Sequence, residues 1–255
     1  MLRISKHIIS DIIRNKIIAA YTIFLFAVTL GLFQIEDDAG KAVLSLLNII
    51  LIVVPLISLV FSAIHYYNYL EFVELMVSQP VSRTVIIMSQ FTGTTFTLIC
   101  AFLIGTGIPI CFYQFDETTM SLLFSGVVLT IIFSSIGHLV SVTSRDKARG
   151  IGVALMIWFY FSLIYDGLIL LLLFALSDYP VEKFTLVMSS LNPVDLARIF
   201  VMLKMDVSAL MGYTGATYKD FFGSSTGTLF SGSILILWAV VPLLFAINAF
   251  RKKDF

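Results

Sequence analysis

Apolar positions fall into six long runs along this chain, and the polar positions between them define the connections. The runs cover residues 17–34, 42–64, 85–113, 122–142, 151–176 and 229–250. Each is long enough to cross about 30 Å of hydrocarbon as a helix. Asp166 is the only carboxylate inside them, no Lys or Arg lies deep in any, and His138 sits near the end of the fourth. The pattern predicts an all-α, polytopic membrane protein with six transmembrane helices, organised as a single domain over residues 1–255.

Two connections carry helical periodicity of their own. In residues 66–83, YYNYLEFVELMVSQPVSR, one stripe is Tyr69, Phe72, Val73 and Met76, and a second is Glu71, Glu74 and Ser78. Pro80 stops this helix and Ser82 is placed to cap the next run. A short amphipathic helix held between two spans suits a groove on a separate protein. Its acidic stripe and scarcity of Lys and Arg disfavour an anionic lipid surface. The second connection, residues 177–227, contains LNPVDLARIF at 191–200. Asn192 reads as a helix cap, Pro193 as the first helical residue, and Asp195 as a negative charge near the positive helix end. Leu196, Phe200, Leu203, Val207 and Leu210 form an apolar seam, with Asp195, Arg198, Met202 and Asp206 on another face. Such a helix can lay its seam on the membrane or on the ends of the spans and present its polar face outward. Before the first run, Ile4, Ile8 and Ile12 recur every fourth residue among Lys6, Arg14 and Lys16, as in a helix along the membrane surface.

Charge fixes the expected orientation. An even number of spans puts both termini on one side. Four Lys and Arg precede the first run, one (Arg83) follows the second, three lie at 145–149 and three in the tail, eleven in all. The other side has five: Lys41, Lys183, Arg198, Lys204 and Lys219. The eleven-residue side should be cytoplasmic, which puts residues 1–16 and 66–83 inside and 177–227 outside. The first apolar run begins only at Ile17 and lacks a small-residue cleavage site, so no removable leader is expected.

The composition agrees with this class. Hydrophobic residues make up 59% of the chain and charged ones 13%, about half the soluble average, and mean hydropathy is +1.00. Formal net charge is zero, so nothing argues for nucleic acid as a partner. Cys100 and Cys111, eleven residues apart on one helix, sit about 16 Å apart along its axis and cannot bridge. Neither a phosphate-binding G-x-x-x-x-G-K-[ST] nor H-E-x-x-H occurs. Residues 223–227, GSSTG, fit the nucleophile turn around Ser225 formally but lack the preceding strand and any external histidine. His7, His65 and His138 lie in different segments. No enzymatic activity, cofactor or metal site is expected. Met202 and Met205 are soft enough for copper(I), yet a methionine pair without nearby Cys or His suits partner contact or packing better. Asp166 is costly facing lipid and should point into the bundle, toward a partner or toward water.

An acidic residue, an apolar run and then SQPVSR before a span resemble the ABC transporter permeases of the export class that lacks a fused ATPase. The six-span layout and the helical insertion before the last span are also similar. The resemblance implies that residues 66–83 are the coupling helix that docks on a cytoplasmic ATPase subunit, through Tyr69, Glu71, Phe72, Glu74 and Met76. LNPVDLARIF followed by DVSALMGYTGA is similar, more narrowly, to the permeases of the transporter that matures nitrous oxide reductase. That likeness runs along essentially the whole chain and implies a homodimeric permease, an ATPase dimer and a periplasmic accessory protein. It also implies a role in assembling a copper–sulfur centre, in the inner membrane of a denitrifying bacterium. Asp195, Arg198, Met202, Met205 and Asp206 would then face the external partner. An exporter of a lipid, drug or other small molecule, or a membrane scaffold without cargo, would fit the same composition.

Overall fold

The computed structural model describes residues 8–9, 12, 15–36, 38–78, 80–113, 115–175, 182–205 and 225–253. The helices are α1 (Lys16–Ile35), α2 (Ala39–Asn68), α3 (Leu70–Val77), α4 (Arg83–Phe102), α5 (Ile108–Tyr113) and α6 (Glu117–Thr143). They continue with α7 (Lys147–Phe159), α8 (Tyr165–Ala175), α9 (Glu182–Leu191), α10 (Pro193–Met202) and α11 (Ser225–Lys252). Six spans result, running over Lys16–Ile35, Ala39–Asn68, Arg83–Tyr113, Glu117–Thr143, Lys147–Leu172 and Leu229–Lys252.

Polar residues between the apolar runs start these helices. Asn15 accepts from the Ile17 amide, Asp38 from that of Gly40 and Asp146 from that of Arg149. Asp116 and Thr119 close a reciprocal capping box. Ser82 occupies the expected cap position of α4, but its side chain makes no capping bond. Two widened π-helical turns interrupt the spans, at Leu103–Gly107 and Tyr160–Ile164. The first ends two residues before Pro109, whose ring would clash with the carbonyl four residues back in a regular helix. Gly105 in that turn lets α1 approach, since a Cβ there would lie 2.9 Å from Leu25 Cβ and from the Thr22 carbonyl.

The fourth span is the axis of the bundle. In its most apolar stretch 72% of residues are buried, against 11% in the fifth span, which lies at the periphery. α6 touches α2, α4, α7, α10 and α11, and its small residues allow this. Gly126 sits under the Phe102 ring and Gly137 against the Leu59 carbonyl. Small residues let helices close up in hydrocarbon, where exclusion from water supplies no drive.

Each end of the bundle is fastened by its own polar contacts. At the α3 end, Arg83 donates to the carbonyls of Arg251 and Lys253, Lys253 Nζ donates to Val142 O, and Lys147 donates to Asn68. At the opposite end Phe33 stacks on Tyr113, and Lys204 pairs with Glu117. Of the N-terminal stripe, Ile8 and Ile12 are helical and 1% exposed, packed into the main core instead of resting on a membrane surface. Ile4 lies outside the described residues.

Candidate functional site

Helix α3 is seated by Val73 and Met76, both buried against Tyr66, Ile86, Ile87, Val142 and Phe250. Glu71, Phe72, Glu74 and Leu75 point away from the bundle. Tyr69 is half-buried, its ring tilted against His65 and edge-on to Phe72. Of the residues read as the docking surface, Met76 therefore holds the helix down and does not line its free face. Leu75, 66% exposed, was missed. It follows Phe72 by three residues, so the signal was present as a second, shorter apolar stripe.

The insertion at the opposite end forms an elbow: α9, a single non-helical residue at Asn192, then α10. It does not lie across the ends of the spans. Asn192 Nδ2 donates to the carbonyl of Phe161 at 3.0 Å, inside the second π turn. Phe161 itself packs edge-on against Phe133 and Trp238 in mid-bundle. At 1.5 Å per residue, Phe161 is about 21 Å from Lys147 along the fifth span, so the elbow meets that span near its middle. From there α10 climbs beside the fourth span, with Phe200 against Phe124, until Thr118 Oγ1 donates to the Lys204 carbonyl at the rim. Leu196 and Ile199 pack with Leu203, Ile234 and Leu235, while Val194, Ala197 and Val201 join the main core. The expected seam is thus one of several buried faces; Val207 and Leu210 lie outside the described residues.

The polar face of α10 meets the fifth span. Arg198 donates from Nη1 and Nη2 to Asp166 Oδ2, each at 3.0 Å, and from Nη1 to Asp195 Oδ1 at 3.2 Å. Asn192 Nδ2 donates to the other Asp195 oxygen at 3.1 Å, while its own Oδ1 accepts from the Val194 amide at 3.0 Å. Tyr165 donates to the Met188 carbonyl at 2.6 Å and ties α9 to the same span. The charges border a pocket of about 310 Å³, lined by Asp166, Ile169, Leu170, Ser189, Asp195, Arg198, Ile199 and Met202.

Asp195 is 5% exposed, so it does not present outward as its helical position implied. Burial, and next the Asp166 carboxylate beside it, push its carboxyl up to about 7, against the pull of Arg198 and Asn192. Met202 lines the pocket and Met205 is buried in the core. Asp206 lies outside the described residues. Among the described residues no group of three or more His, Cys, Asp or Glu could hold a metal ion. Sequence reasoning named Asp166, Asp195 and Arg198 separately. It missed that they meet, and that Asn192 links both helices to the fifth span.

The pattern of the family described as "ABC-2 family transporter protein" matches residues 2–255. The chain is also similar to the "probable ABC transporter permease protein NosY" of Stutzerimonas stutzeri, 25% identical over 287 residues that cover 98% of this chain and 97% of the relative. The protein of the same description from Pseudomonas aeruginosa is 23% identical over 271 residues, with the same shares covered.

Proposed function

The chain belongs to the ABC-2 family of transporter proteins and is a membrane permease subunit of an ABC transporter, and from that premise we propose that α3 transmits the movement of a separate ATPase subunit to the spans. The observation that carries this reading is the face of α3. Phe72 and Leu75 project with Glu71 and Glu74, while Val73 and Met76 lock the helix onto the ends of the second, third, fourth and sixth spans. An apolar pair rimmed by carboxylates fits a groove with basic edges. The permease works as a homodimer in a bacterial inner membrane, with α3 and both termini in the cytoplasm. Outside, it meets a periplasmic accessory protein. The full-length likeness to NosY permeases and the residues 191–216 support a role in maturing the copper–sulfur centre of nitrous oxide reductase. Because Asp195 is turned inward, the accessory protein is proposed to meet the elbow at its rim, where Lys204 and Glu117 are exposed.

Changing Phe72 and Leu75 together to Asp should lower co-purification of the co-expressed ATPase at least about tenfold, as expected when two apolar anchors are lost. The amount of folded permease should not change, because neither side chain is buried. Retention of the ATPase and of its stimulated activity by a well-folded double variant would refute the docking role. Orientation is tested after replacing Cys100 and Cys111 with Ser. Arg145→Cys should resist a membrane-impermeant maleimide applied to spheroplasts, whereas Lys41→Cys should react; the opposite pattern would reverse the assignment of sides.

A further inference from the structure

The charges at the elbow do not balance. Asp166 and Asp195 share one guanidinium. With both ionised the cluster carries one net negative charge. Among the described residues, the other groups facing it do not compensate. Tyr165 bonds the Met188 carbonyl, and Asn192 is a neutral amide. The second, fourth and sixth spans contribute no charged residue within residues 42–64, 118–143 or 225–250. Lys204 is paired with Glu117 at the rim, about 9 Å further along α10 at 1.5 Å per residue. Asp195 is the member held away from water, and a buried excess charge is resolved by taking up a cation, of which the smallest is a proton.

We propose that the Asp166–Asp195–Arg198 cluster is a proton-binding site, with one exchangeable proton on Asp195 controlling how firmly the elbow is held to the fifth span. The proton enters from the outer solution through the pocket that the charges line. On Asp195 it turns an acceptor into a donor. The acid then donates to the Asp166 carboxylate, which keeps its two bonds from Arg198. Burial, and next the Asp166 carboxylate, push the seated Asp195 carboxyl up to about 7 from the 3.8 of an ordinary aspartate. A raised value means that the seated elbow holds the proton more tightly than a released one. Protonation therefore favours seating, fully below about pH 4, and that contribution is lost as pH rises through about 7.

Infrared spectra of the purified full chain in nanodiscs, stepped from about pH 5 to 9, test this directly. A protonated-carboxyl band should titrate away with a midpoint near 7. Asp195→Asn should abolish it, and Asp195→Glu should restore one. Asp166→Asn should drop the midpoint by two units or more, because Asp195 then has Arg198 to itself. A spin-label pair between α10 and the fifth span should lengthen above the midpoint in the native chain, but not in Asp195→Asn, the neutral mimic of the protonated state. Absence of a band titrating between about pH 5.5 and 8.5 would overturn the proposal, as would a band unaffected by Asp195→Asn. A midpoint that moves with sodium or potassium concentration at fixed pH would place a metal cation in the site and overturn it equally.

Discussion

Replacing Arg198 with Ala should unseat the elbow and lower the stability of the folded permease by about 3 kcal/mol, the loss expected when one partner of a buried ion group is removed. Among the described residues Arg198 is the cation that bridges Asp166 and Asp195, and its side chain is about one-third exposed, so some of the loss is relieved by solvent. The remainder is the penalty of a carboxyl pair left without the guanidinium that bridges it. Thermal unfolding should shift down by several degrees, and a cysteine placed in α10 should become reactive from outside. The charge argument also predicts rescue. Arg198→Met combined with Asp166→Leu and Asp195→Asn removes the imbalance with side chains of similar volume, and should recover most of the lost stability. If Arg198→Ala unfolded at the wild-type temperature with α10 still protected, the cluster would not be what seats the elbow. If the triple variant were no better than Arg198→Ala, shape and not charge would be the cause.

The second large effect lies at the crossing of the second and fourth spans. A Cβ on Gly137 would stand 2.7 Å from the Leu59 carbonyl oxygen and 2.9 Å from Ser62 Cβ. Backbone on the opposing helix cannot rotate away as the tip of a side chain can. Gly137→Leu should therefore force α2 and α6 apart along the axis of the bundle, at roughly 3 kcal/mol or more. The expected reading is a monodisperse peak on size-exclusion chromatography reduced at least tenfold, with Gly137→Ala intermediate. Gly152 and Gly167 supply the control, since nothing lies within 4 Å of a Cβ at either position. Alanine there should be neutral or slightly stabilising, by up to about 1 kcal/mol from helix propensity. A Gly137→Leu protein with a wild-type elution profile and yield would show that the two spans do not approach as closely as described.

Some of this molecule follows from the chain alone. The six spans do, because in hydrocarbon a backbone must satisfy its own hydrogen bonds, and a long apolar run can do so only as a helix. Their beginnings are local too: Asn15, Asp38, Asp116 and Asp146 cap the helices they precede whatever the rest of the chain does. The short helix after Tyr69 and the helix after Asn192 were legible for the same reason, from a cap or a proline and a period of 3.6.

Which faces of those helices meet protein was settled only in three dimensions. Periodicity gives an angle around an axis, but a lipid-facing side chain and a packed one are equally apolar, so it does not say what lies at that angle. Met76 and Phe72 share a stripe in sequence; packing against Phe250 and Val142 buries one and leaves the other out. Arg198 looked like a charge offered to an external partner, because nothing nearby in sequence reveals that Asp166, 32 residues earlier, is waiting on the fifth span. Once they pair, burial turns Asp195 from a helix-end charge into a carboxyl poised near neutrality. The sequence by itself determined the spans, because backbone desolvation acts on each segment separately, though Ser82 shows that a cap residue in place need not make its bond. Only the tertiary structure decided where the charges sit, because an ion pair depends on which segments the fold brings together.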